Sequence, residues 1–162
     1  MGLDPSDLVV ADVGASTGGF TDCLLQWGAA RVYAIDVGHG QLAEKLRCDT
    51  QVINMESTNA RYLESLPEPI DLATIDLSFI SLPLMVPQVR CWLRPGGDIV
   101  ALIKPQFEAG PERVGRDGVV RDQAVLQELL AWAADQGLTT VNLTPSPILG
   151  GDGNREFLVH WR

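Results

Sequence analysis

A strand-like run, a glycine-rich turn and a helix start follow one another without a gap in Val9-Val10-Ala11-Asp12-Val13-Gly14-Ala15-Ser16-Thr17-Gly18-Gly19-Phe20. Glycines let the backbone approach a ligand closely, and amides at a helix start are unpaired donors. In open α/β sheets, such a loop at the carboxyl edge of the first strand is where nucleotide-like ligands sit. The rest of the chain supports that architecture. Runs rich in Val, Ile and Leu at Leu8–Val13, Val32–Val37, Gln51–Asn54, Ile70–Ile75, Ile99–Ile103, Thr139–Leu143 and Phe157–Trp161 read as strands. Helical stretches are expected between them, at Thr21–Trp27, Gln41–Arg47, Thr58–Ser65, Leu82–Leu93 and Asp122–Gln136. The alternation predicts an α/β fold with a mostly parallel seven-stranded sheet and helices on both faces. Pro145–Asn154 resembles a hairpin connection, so the last strand is expected to be antiparallel.

With 162 residues, 46% of them hydrophobic, the chain fits one domain over 1–162 that needs no metal or disulfide staple. Its longest uncharged run, Leu77–Val89, is interrupted by serines and prolines and is too short to cross a bilayer. The amino terminus lacks the charges and apolar stretch of an export signal, so a cytoplasmic location is expected. Cys23, Cys48 and Cys91 lie far apart and have no zinc-ligand spacing; they read as reduced thiols, with no metal site. A net charge of −9 argues against broad electrostatic adhesion to nucleic acid, so any RNA contact must be local or assisted.

Three motifs overlap at the glycine loop, and each makes a different demand. A triphosphate loop needs lysine after its last glycine, where this chain has Phe20. A dinucleotide fingerprint needs glycine where Ser16 stands, which counts against NAD without excluding it. Gly14-Ala15-Ser16-Thr17-Gly18 matches a nucleophile elbow, but Ser16 follows the first strand, whereas that fold requires strands before it. His160, the only late histidine, reads as a packed or edge-exposed strand residue among apolar neighbours. Asp36 ends the second strand roughly twenty residues beyond Gly14, where a carboxylate can accept both hydroxyls of an adenosine ribose. Asp12 is placed to attract an ammonium or to fix the glycine turn. Adenosine joined to a methionine moiety satisfies both carboxylates better than a pyrophosphate does. The expected cofactor is S-adenosylmethionine, held by Asp12, Gly14, Ser16, Thr17, Gly18, Gly19, Phe20, Asp36 and Val37, with Glu56 a further neighbour of the adenine.

Asp76, Lys104 and Glu156 stand where the fourth, fifth and last strands meet the surface. A lysine between carboxylates can orient a substrate hydroxyl and ease loss of its proton as an electrophilic methyl group is attacked in line. A salt-bridge network that merely caps the sheet is the alternative. The segment Lys104–Val119 reads as a long loop, and loops of that length are usually functional. Its Arg113 and Arg116, together with Arg121, are placed to steer phosphates.

Five ordered blocks, Asp12–Asp22, Asp36-Val37-Gly38, Asp76–Leu82, Lys104–Glu108 and Gly153–Phe157, together resemble the TlyA or haemolysin A family within the FtsJ-like ribose methyltransferases. The resemblance runs through the whole chain and implies a Rossmann-like, S-adenosylmethionine-dependent methyltransferase fold. It implies 2′-O-methylation of ribosomal RNA, with Asp76, Lys104 and Glu156 matching the last three members of a Lys-Asp-Lys-Glu tetrad. The first lysine has no counterpart here; in the family it follows a small N-terminal RNA-binding domain that this chain lacks, and that domain is the expected source of affinity for a ribosomal subunit. A catalytically inactive cofactor-binding module, a haemolysin-type protein and a dehydrogenase are the competing readings, although no amphipathic cationic helix or membrane segment supports the second of these.

Overall fold

The computed structural model describes residues 2–162. Strands β1 (Val9–Val13), β2 (Arg31–Ile35), β3 (Val52–Met55), β4 (Ile70–Ile75), β5 (Leu93–Ile103), β6 (Thr140–Leu149) and β7 (Arg155–Trp161) form one sheet in the order β3-β2-β1-β4-β5-β7-β6. The first five pair in parallel, while β7 runs antiparallel to both β5 and β6. The chain winds outward from β1 to β3 and then returns to place β4 on the other side of β1. That reversal opens a crevice at the carboxyl ends of β1 and β4.

Helices α1 (Gly19–Gln26), α2 (Glu44–Arg47), α3 (Leu82–Arg90), α4 (Pro105–Glu108) and α5 (Ala124–Asp135) cover the two faces. On one face Val13, Ile75, Ile99, Ile103 and Trp161 pack with Met85, Val86 and Val89 of α3 and Leu129 and Ala133 of α5. On the other, Val10, Val32, Leu72 and Val100 meet Leu24 of α1, and Ala34 and Val52 meet Leu42 and α2's Leu46. The central strands are buried on both sides, which is why they are rich in Val, Ile, Leu and Ala, with the buried Asp12 and Thr74 among them. Each large side chain removed from water in this way contributes roughly 1.5–3 kcal/mol.

Several boundaries differ from the sequence-based expectation. The second helix is only Glu44–Arg47, because the Glu56 carboxylate takes the amides of Gln41 and Leu42 and holds that stretch as a loop. Thr58–Ser65 contains one 3₁₀ turn, Ala60–Tyr62, capped by Asn59, and Leu63 is already extended. Strand β5 begins earlier, at Leu93, with a bulge through Pro95-Gly96-Gly97 that shifts its register on β4. Strand β6 runs on to Leu149 through Pro145 and Pro147, which the outermost strand tolerates because one side needs no partner. The long loop after β5 contains α4 and a 3₁₀ turn at Pro111–Arg113. His160 is buried as a packed strand residue, but its neighbours are not all apolar: Nε2 lies 2.7 Å from Asp98 Oδ1, and Arg162 donates to both oxygens of Asp98.

Candidate active site

The floor of the crevice is the glycine loop. Gly14 has φ +86°, and a Cβ there would lie 2.2 Å from the Asp76 carbonyl oxygen, so only glycine lets the ends of β1 and β4 come together. Gly18 has φ +100° and lies against Leu42 and Leu46, which seats α1 on the α2 segment. Asp12 is fully buried beneath the loop. Its two oxygens accept from Thr21 Oγ1 at 2.7 Å and Thr74 Oγ1 at 2.9 Å, tying α1 and β4 to β1. Burial pushes its pKa up to about 6 against the pull of those two hydroxyls.

Ser16 and Thr17 are exposed, Gly19 opens to space with nothing within 4 Å of where a Cβ would stand, and Phe20 is half-buried. Ser16 adopts φ +48°, and its amide donates to Asp36 Oδ2 at 2.8 Å, while the Gly38 amide donates to Oδ1 at 2.7 Å. Each carboxylate oxygen has a second lone pair, so Asp36 can still accept from a ligand's hydroxyls. Val37 beside it is 70% exposed. Glu56 accepts from Asn54 Nδ2 and from the amides of Leu42 and Gln41, which hold its pKa down at about 2. Loop, Asp36, Val37 and Glu56 thus line one side of the crevice, with exposed backbone, carboxylates and an apolar surface. That donor set fits an adenosyl group carrying an amino acid.

On the other side, the Lys104 ammonium lies 2.7 Å from Asp76 Oδ1 and 3.2 Å from Ser78 Oγ, with only 13% of the lysine side chain exposed. The contact with Asp76 is off-angle, an ion pair rather than a directed hydrogen bond. Ile103 pairs with Phe157 in the β5–β7 ladder, so Lys104 and Glu156 occupy the next cross-strand position at the same edge. They are neighbours without forming an ion pair. The Glu156 carboxylate is buried against the turn at Gly150, where a Cβ would lie 2.5 Å from Oε1. A groove of about 510 Å³ lies on the opposite face of β7 from Glu156, with Pro105, Arg121, Arg155 and Phe157 among its walls.

The three arginines differ from one another. Arg113 is held by Asp122 and Glu128, and Arg121 by Asp117, whereas Arg116 is exposed with no ion pair among the described residues. Two residues escaped the sequence analysis. Phe79 is 90% exposed at φ +66° and packs against Phe107 with ring centroids 5.0 Å apart. Asn154, fully buried, accepts from the Val120 amide and donates to the Gly118 carbonyl, latching the long loop to the β6–β7 turn. Both lie inside the recognised blocks; an apolar residue between Ser78 and Ser81 and an amide between glycine and arginine were the available signals.

Among the described residues, no group of three or more His, Cys, Asp or Glu side chains is placed to hold a metal, and no helix is long and apolar enough to cross a membrane. The provisionally named rRNA methyltransferase YqxC of Bacillus subtilis (strain 168) is 52% identical over 95% of this chain and 57% of its own length. The 16S/23S rRNA (cytidine-2′-O)-methyltransferase TlyA of Mycobacterium tuberculosis (strain ATCC 25618 / H37Rv) is 46% identical over 93% of this chain and 59% of its own. A solved structure of a provisionally named hemolysin from Streptococcus thermophilus superposes with a TM-score of 0.93 at 49% identity, covering 98% of this chain and 60% of that one. The chain therefore spans about three fifths of the length of these relatives. The model of the FtsJ-like methyltransferases matches residues 1–162, and the chain belongs to that family.

Proposed function

We propose that this chain transfers a methyl group from S-adenosylmethionine to a ribose 2′-hydroxyl of ribosomal RNA. The observation that carries the reading is the ion pair of Lys104 with Asp76, set across the switch-point crevice from the glycine loop and Asp36. The names of the relatives support it, two of them rRNA methyltransferases.

The loop from Gly14 to Phe20, Asp36, Val37 and Glu56 would hold the cofactor, which supplies an electrophilic methyl group when bound. Lys104 donates to the attacking hydroxyl and orients it, and Asp76 holds the ammonium in place. Glu156, one cross-strand step away, would accept the proton that the hydroxyl gives up. The exposed ring of Phe79 offers a stacking face for a base lifted from its helix, an arrangement common where enzymes act on nucleotides. Arg116 is available to a phosphate as it stands, while Arg113 and Arg121 shape the loop that presents it. With a net charge of −9, affinity for a ribosomal subunit needs a further basic surface, which an N-terminal RNA-binding domain outside these residues would provide. A ribosomal substrate would be met in the cytoplasm, which supports a cytoplasmic location.

Calorimetric titration with S-adenosylmethionine, with NADH as control, tests the cofactor. Saturable binding of S-adenosylmethionine alone, lost in Asp36→Ala, is expected; binding of NADH instead would return the site to a dehydrogenase.

A further inference from the structure

We propose that Glu108 is a positioning residue: its carboxylate clamps the loop bearing Lys104 onto the first turn of α3, and so onto the loop bearing Asp76. The proposal rests on Lys104 as the residue that handles the substrate hydroxyl.

Glu108 Oε2 accepts from Ser81 Oγ at 2.6 Å, and Oε1 accepts from the Leu82 amide at 3.0 Å. Ser81 immediately precedes α3 and its own side chain caps nothing, so the helix receives its capping acceptor from a different loop. A carboxylate at that end also meets the positive pole of the helix. Lys104 opens the α4 turn and Glu108 closes it. Backbone bonds from the Phe107 amide to the Lys104 carbonyl and from the Ala109 amide to the Pro105 carbonyl, both 2.9 Å, make the turn a stiff link between clamp and ammonium.

The two loops touch at three places: Lys104 with Asp76 and Ser78, Phe79 with Phe107, and Glu108 with Ser81 and Leu82. The first two belong to groups that face the substrate and must exchange partners when it arrives. Glu108 lies behind them, and its bonds are free of that exchange. Burial raises its carboxyl above the usual range against the two donors, and no cation pairs with it among the described residues. An apolar residue would fill the same space with no charge to bury; the carboxylate adds directed bonds that fix where Lys104 starts.

The test compares Glu108→Ala and Glu108→Gln with the parent chain in cofactor binding, methyl transfer to ribosomal subunits and amide hydrogen exchange. Glutamine keeps an acceptor for the Leu82 amide and a polar partner for Ser81. Glu108→Ala is expected to lower turnover at saturating substrates on the order of 10²-fold, the usual cost of a reacting group misplaced by an ångström. Cofactor affinity should stay unchanged, and Glu108→Gln should restore most of the turnover. Exchange should quicken at Leu82, Phe107 and Ala109 in Glu108→Ala alone. Unchanged turnover and exchange, or equal losses in both variants, would overturn the proposal. If the parent chain transfers no methyl group, the ribosomal reading fails by itself and the exchange pattern decides the role of Glu108. Should Glu108→Ala not fold, Ser81→Ala removes one of the two donors and is read in the same way.

Discussion

Lys104 and Asp76 meet at 2.7 Å across the carboxyl ends of β5 and β4, and Gly14 is what lets β1 come close enough to place the glycine loop beside them. The pair faces the crevice while Asp36 and Glu56 line its opposite side, so the two halves of the site can be perturbed separately.

Lys104→Ala should reduce methyl transfer by roughly 10²–10⁴-fold, the range for loss of a positioned proton-handling group. Cofactor affinity measured by calorimetry should be nearly unchanged. Loss of cofactor binding in the same variant would recast Lys104 as a structural residue.

Gly14→Ala should damage fold and site together. The new Cβ would meet a backbone carbonyl at 2.2 Å in a left-handed conformation, so neither partner can yield by turning a side chain. A loss of about 2 kcal/mol or more in urea denaturation is expected, in the range of strain at a special backbone position. A variant as stable as the parent would show that β1 and β4 can separate there.

Asp12 sets a pH dependence whose sign is opposite to that of a salt-bridged carboxylate. Its folded pKa of about 6 lies above the unfolded 3.8, so the folded state holds the proton more tightly. Its contribution is most favourable below the unfolded value and falls by about 3 kcal/mol as the pH rises through the folded one. Asp12→Asn, which keeps an acceptor for one of the two threonine hydroxyls and donates its amide to the other, should raise the melting temperature at pH 7 and flatten the profile between pH 4 and 6. A melting temperature that drops at pH 7 would mean the charged form is the stabilising one.

Phe79→Ala should leave melting temperature and cofactor affinity close to those of the parent, because the ring is 90% exposed and alanine keeps the same Cβ on the left-handed backbone. Its cost should fall on RNA, by about 1–3 kcal/mol as for other base–aromatic stacks. Subunit binding that survives the change intact would remove Phe79 from the RNA surface.

The sheet was legible because β1, β4 and the second half of β5 are buried on both sides and are rich in Val, Ile, Leu and Ala, and because Gly14 and Gly18 mark a turn that other residues cannot make. As candidates, Asp36, Asp76 and Lys104 stood out as polar residues ending apolar runs, and Glu156 as one preceding the last of them. What stayed hidden depends on tertiary partners. Gln41–Ala43 looks helical until Glu56, fifteen residues beyond Gln41, takes its amides. Arg113 and Arg121 look like free cations until Asp122, Glu128 and Asp117 fold onto them. The second half of β6, beyond Leu143, hides behind two prolines that only an edge position permits.

The most direct measurement is mass spectrometry of nucleosides from ribosomal subunits incubated with this chain and methyl-labelled S-adenosylmethionine. The account predicts label in a 2′-O-methylated nucleoside that disappears with Lys104→Ala. Label confined to a base, or 2′-O-methylation that persists in Lys104→Ala, would contradict it.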